Sequence, residues 1–229
     1  MEPGHKTPTA EPALKPRPDE LRLDRIPLWE AIAGMLAVGV LYAFLPQKLL
    51  IGPGWLLLVI EAVLLLPLIF TLLSGRGLPR KAIRPLIFTL LGVLTLALAS
   101  GIVLLVITLP GDKSAIILLR AAALLWCSNV LVFGLWYWQV DGGGPVSRHQ
   151  SGHQAADFVF PQQTEGNKTG WVPRFLDYLF LAFTGATALS PADTFPLTRP
   201  AKALMMIEAL LSMTIIVLLA ARAVNIVGS

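Results

Sequence analysis

Glu61, Arg120 and Glu208 each interrupt an otherwise apolar run. Counted at 1.5 Å per residue from the predicted outer ends of their helices, all three fall on the order of 10 Å below one membrane surface. A charge at the centre of a transmembrane helix costs about 2.5 to 3.5 kcal/mol on insertion scales, so each of these residues calls for a partner. The shared depth predicts that Arg120 pairs with Glu61 or Glu208. Such a layer serves either as a fastener between helices or as a polar path, lined by two carboxylates and one arginine, for a small ion or solute. By the same count Glu30, Asp177, Arg222 and Asn225 form a second layer near the cytoplasmic boundary, where Arg222 is expected to pair with Asp177 or Glu30.

Outside these layers the chemistry is thinner. His149, His153 and Asp157 recur at four-residue spacing, which on a helix would present one face to a divalent metal. The Gly, Gln and Ser residues around them argue for coil instead, and no metal is assigned. Ser190, Pro191 and Asp193 lie in a polar break, Ser190-Pro191-Ala192-Asp193-Thr194-Phe195-Pro196. Ser190 has no histidine or carboxylate arrangement to activate it and reads as turn chemistry before Pro191. Asp193 reads as a cap or turn residue, or as a carboxylate at a mouth that attracts cations. No metal cluster, triad or phosphate loop appears in the sequence, so neither an enzyme activity nor a cofactor is expected.

The elements that must position these residues are apolar. Hydrophobic residues make up 55% of the 229 positions and charged residues 14%, with a formal net charge of +4. The mean hydropathy of +0.70 exceeds what a soluble domain of this length needs for its core. Residues 1–25 are rich in Pro, Glu, Lys and Thr, show no apolar period, and read as a disordered cytoplasmic tail with no signal-peptide pattern. Four apolar runs follow at 26–45, 54–73, 86–109 and 114–140, each near the roughly 20 residues that cross about 30 Å of hydrocarbon. Residues 26–140 are therefore expected to form a four-helix transmembrane region and 141–172 a polar, Gly-rich loop. Residues 173–229 are expected to form a C-terminal helical hairpin, from a short run at 175–189 and a long one at 201–227. The fold class is all-α, a transmembrane helix bundle of six spans, with five spans plus a re-entrant pore helix as the alternative.

Lys and Arg flanking the spans set the orientation. Lys6, Lys15, Arg17, Arg22 and Arg25 in the tail, and Arg76, Arg80, Lys81 and Arg84 after the second span, place both segments in the cytoplasm. Six spans then return both termini to the cytoplasm. A pore loop whose last helix also ended inside would carry the Arg76 to Arg84 connector outside, against the basic bias, so the sixth span is preferred.

Asp157-Phe158, Phe160-Pro161-Gln162, the run from Asp177-Tyr178 to Phe183-Thr184, the break at 190–199 and Ala221-Arg222-Ala223-Val224-Asn225-Ile226 cover about the last third of the chain. Together they resemble the C-terminal signature of a bacterial family of uncharacterised multi-pass membrane proteins. The resemblance implies a bacterial inner (plasma) membrane location with a cytoplasmic N-terminus, and it leaves activity open. The same region is also similar to the pore module of potassium channels, with 179–188 as pore helix, 188–196 as filter and 201–227 as inner helix. Leu189, Ser190, Pro191 and Ala192 supply no glycine where that family's filter needs it, so potassium selectivity of that kind is not expected. The functional class expected is transport or ion permeation, with a non-transport scaffold or regulator as the alternative. The lipid bilayer is the partner, a homo-oligomer and a small ion or solute are left open, and nucleic acid is not expected.

Overall fold

The computed structural model describes residues 28–74, 80–108, 115–187 and 193–227, so the expected disordered tail lies outside the described residues. The apolar runs form helices: α1 (Leu28–Ala43), α2 (Leu56–Ser74), α3 (Arg80–Thr108) and α4 (Ala115–Val140). A short helix α5 (Pro145–Gln150) and a strand β1 (Phe158–Val159) follow, then α6 (Phe175–Thr187), a strand β2 (Phe195–Pro196) and α7 (Arg199–Val227). Three helices, α3, α4 and α7, are long and apolar enough to cross a membrane, while α1, α2 and α6 are apolar but shorter.

Small residues set the helix approaches. Gly39 of α1 lies so close to Glu61 of α2 that a Cβ there would sit 2.0 Å from Glu61 Oε2. Gly101 of α3 meets Leu125 of α4, and Gly134 of α4 meets the backbone of Leu179 in α6. Polar side chains fasten the same contacts: Trp136 Nε1 donates to Thr95 Oγ1 at 2.8 Å across α3 and α4, and Trp126 Nε1 to Ser212 Oγ at 3.1 Å across α4 and α7. Trp126 thus packs between helices, as its mid-run position suggests. Helices α1, α3, α6 and α7 all pack on α4, whose Leu125, Val132, Leu135 and Tyr137 are fully buried.

The segment read as a polar loop is instead a built cap over one end of the bundle. Gly142, Gly143 and Gly144 all take positive φ, +58°, +77° and +100°, which reverses the chain directly after α4. The reversal brings Arg148 back under Gly142, where a Cβ would stand 2.7 Å from Arg148 Cγ. Arg148, 2% exposed, donates through Nη1 to the carbonyls of Trp138 at 2.6 Å and Asp141 at 2.5 Å. Its guanidinium lies 5.0 Å from the Tyr178 ring centroid and 5.9 Å from that of Trp138. Asp141, 1% exposed, completes the pairing at 4.0 Å from Arg148 Nε. The Asp141 carboxylate also accepts from the backbone N–H groups of Asp157 (3.0 Å) and Phe158 (3.2 Å) and from the Tyr178 hydroxyl (2.5 Å). A buried charge pair holds only when its remaining lone pairs are satisfied in this way.

The cap also fixes where α6 and α7 begin. Asp157 accepts through its side chain from Gly142 N (2.9 Å) and Thr198 Oγ1 (2.6 Å), and through its carbonyl from Leu197 N (2.8 Å). Next to it β1 pairs antiparallel with β2, Phe158 opposite Pro196 and Val159 opposite Phe195. The connector after α4 and the connector after α6 are therefore hydrogen-bonded to each other at one end of the bundle.

By length and composition three helices, α3, α4 and α7, are able to span, and α6 is not among them. The described part of α6, 13 residues, extends about 20 Å. Its last turn stops alongside the middle of α7, where Ser212 Oγ donates to Ala186 O at 2.6 Å. Phe195 lies beside Val159, at the end of the bundle where α6 begins.

Candidate functional site

At the inner end of α6 lies a cluster of polar groups with almost no access to solvent. Glu208 of α7 and Asn129 of α4 are both 0% exposed, and Ser212 is 1% exposed. Glu208 lies against Gly185 of α6, where any Cβ would come within 2.7 Å of its Oε2. The Tyr137 hydroxyl donates to Glu208 Oε2, and Asn129 Nδ2 donates to the Glu208 carbonyl at 3.4 Å. Helix α7 turns a single stripe toward this cluster, Ala201, Glu208, Ser212 and Ile215, at the three-to-four-residue spacing that keeps side chains on one face. A side chain at position 185 would displace the Glu208 carboxyl group from the place it holds against α6.

Two acceptors in the cluster, Glu208 Oε1 and Asn129 Oδ1, have no hydrogen-bond partner among the described residues. Both oxygens of Glu61, also 0% exposed, share that condition at the α1–α2 contact. An orphaned buried acceptor forfeits about 1 to 3 kcal/mol, more when charged, so two such carboxyl groups are costly features of a bundle this size.

The predicted layers are only partly assembled. Arg120 is exposed on the outer surface of α4 and bonds to neither Glu61 nor Glu208 among the described residues, so the expected pairing does not form. The reason is azimuth: Leu118, Ala121, Ala122 and Leu125 carry the buried face of α4, and residue 120 falls on the opposite side. Glu30 and Asp177 do converge, at the start of α6. Glu30 pairs with Arg174 and accepts from Phe175 N at 3.2 Å, while Asp177 Oδ2 accepts from Arg174 N at 2.7 Å, an acid at the third helical position capping its own N-terminus. Arg222 and Asn225 are positions in the last turns of α7, on the order of 35 Å along it from Arg199, and do not share that level. Their side chains lie outside the described residues, as do Ser190 and Pro191, whereas Asp193 is exposed.

The histidine set is likewise divided. His149 Nδ1 and His153 Nε2 lie 3.2 Å apart, but the Asp157 carboxylate is engaged by Gly142 and Thr198, so the three do not face one metal position. Burial, helped by the nearby charges of His149 and Arg148, pushes His153 down to about 4 and favours its neutral form. His153 has φ +54° and caps the turn after α5, its carbonyl accepting from Gln163 Nε2 at 2.8 Å and Asn167 Nδ2 at 3.1 Å. These contacts make it a structural part of the cap.

Sequence reasoning missed Tyr137, Asn129, Gly185 and the pair Asp141 and Arg148. The available signals were an amide inside an apolar run for Asn129, a lone glycine in a short run for Gly185, and an acid closing an apolar run before three glycines for Asp141. No protein-family model, no curated protein and no solved structure matches the chain.

Proposed function

We propose that this chain is a multi-pass integral membrane protein for transport or ion permeation, with five crossing helices (α1, α2, α3, α4 and α7) and α6 as a re-entrant helix. The observation that carries the reading is the fully buried Glu208 carboxyl group, about a third of the way along α7 and seated against Gly185 of α6. A stable protein has little use for such a group, and polar residues inside a bilayer mark substrate and ion pathways. The resemblance of the last third to a pore module supports the same reading, and its resemblance to a bacterial membrane family supports the membrane location alone.

Charge supports the orientation. The N-termini of α1, α3 and α7 and the cap meet one end of the bundle. Among the described positions Arg80, Lys81, Arg84, Arg148, Lys168, Arg174, Arg199 and Lys202 belong to that end, and Lys48, Arg120 and Arg222 to the other. The cap end is then cytoplasmic in a bacterial inner membrane and the C-terminus lies outside. With the last helix ending outside, a re-entrant helix no longer conflicts with the basic Arg76 to Arg84 connector.

The test is cation flux in proteoliposomes. The native protein is expected to exceed empty liposomes, and Glu208→Gln, which keeps an acceptor for Tyr137, is expected to lose about tenfold, equivalent to about 1.4 kcal/mol on the barrier. Native flux equal to that of empty liposomes, with the variant indistinguishable, would assign the protein to a membrane scaffold or regulator.

A further inference from the structure

We propose that Glu208 Oε1 and Asn129 Oδ1 together bind a dehydrated monovalent alkali cation at the inner end of α6. The inference rests on the permeation reading above and names the class of ion held at that site.

In the cluster the Tyr137 O–H is committed to Glu208 Oε2, one Asn129 Nδ2–H to the Glu208 carbonyl, the Ser212 O–H to Ala186 O and the Trp126 Nε1–H to Ser212 Oγ. Two oxygens meet none of these donors, one from a carboxyl group and one from a carboxamide, on side chains that are both 0% exposed. Buried oxygen acceptors that no described donor meets suit a hard cation, which takes carboxylate and carbonyl oxygens as ligands.

The field at the site has the same sign. Ala186 and Thr187 are the last described residues of α6, on the side of the helix toward which its dipole is negative. Thr184 and Thr187 turn their hydroxyl hydrogens back onto helix carbonyls, to Leu181 and Phe183 at 2.8 Å each, and offer no donor to the cluster. One carboxylate supplies one formal negative charge, which matches a single positive charge. Among the described residues no group of three His, Cys, Asp or Glu side chains accompanies it to favour a divalent ion. Gly185 leaves the carboxyl group room to sit directly at the helix end.

The experiment measures thermal unfolding of the purified full-length chain in detergent, at constant ionic strength. Sodium, potassium or lithium chloride replaces N-methyl-D-glucamine chloride. A saturable rise of about 5 °C is expected in at least one alkali salt, as for a ligand well above its dissociation constant. Glu208→Gln is expected to abolish the rise, and Asn129→Leu, which removes one ligand and keeps the carboxylate, to weaken it at least severalfold in concentration. The same midpoint in all four salts, or a rise unchanged in both variants, overturns the site. Cation binding without flux in proteoliposomes would refute permeation and leave the site standing. Flux without cation-dependent unfolding would refute the site and leave permeation standing.

Discussion

Asp141→Ala is expected to destabilise the protein by about 3 to 5 kcal/mol, the cost of leaving one member of a buried ion pair uncompensated. The change strips Arg148 of its counter-charge and removes the acceptor for the backbone N–H groups of Asp157 and Phe158 and for the Tyr178 hydroxyl. Because Asp157 in turn holds Thr198 and Leu197, the loss propagates to the start of α7. Denaturant titration in detergent measures the stability, and hydrogen exchange at Phe158 and Leu197 locates the loosening. A change under about 1 kcal/mol, the size of a single ordinary hydrogen bond, would mean that the cap does not carry this load. Asp157→Ala removes two side-chain bonds and no charge pair, and should cost less than Asp141→Ala.

The opposite sign is expected for Glu61→Leu. Glu61 is fully buried, neither of its oxygens makes a full hydrogen bond among the described residues, and the backbone of Gly39, against which it is pressed, compensates only in part. Replacement by an apolar side chain of similar volume should stabilise the fold by about 1 to 3 kcal/mol. A loss of stability of that size would contradict this account and would mean that the carboxyl group is satisfied by a bound species at the α1–α2 contact. Arg120→Ala serves as the reference: it is exposed, and its substitution should stay within about 0.5 kcal/mol. A carboxyl group that weakens its own fold is a feature expected of a functional position, where a local rule is broken for a use elsewhere.

The helices were legible in the sequence because bilayer-length apolar runs announce themselves, and the polar break before Phe195 marked the one unusual connection. What could not be read was how the two ends of that connection meet. Asp157-Phe158 and Phe195-Pro196 stood out as separate pieces of a pattern, but two-residue strands far apart in the chain leave no periodic trace of their pairing. The direction of the last helix was likewise inferred from an assumed cytoplasmic C-terminus, and that assumption alone turned the basic connectors against a re-entrant helix. Depth counting says nothing of azimuth, and Arg120 lies on the exposed side of α4. Glu30 and Asp177 do meet at the start of α6, with Arg174 rather than Arg222 as the cation beside them. The cap was misread as coil because Gly, Gln and Ser dominate its composition. Its order comes from one buried Asp and one buried Arg, whose contacts run back to Trp138 and forward to Tyr178.

The re-entrant path of α6 is tested most directly by thiol accessibility. Single cysteines at Ser151 in the cap and Asp193 before β2, introduced in a Cys127→Ser background, are labelled with a membrane-impermeant maleimide in intact spheroplasts and in inside-out vesicles. Both thiols should be protected in spheroplasts and react in inside-out vesicles, while a tag after Ser229 shows the opposite pattern. Reaction of the Asp193 thiol from outside while the Ser151 thiol stays protected would mean that α6 crosses the membrane, and would contradict the shared end on which the candidate site is built.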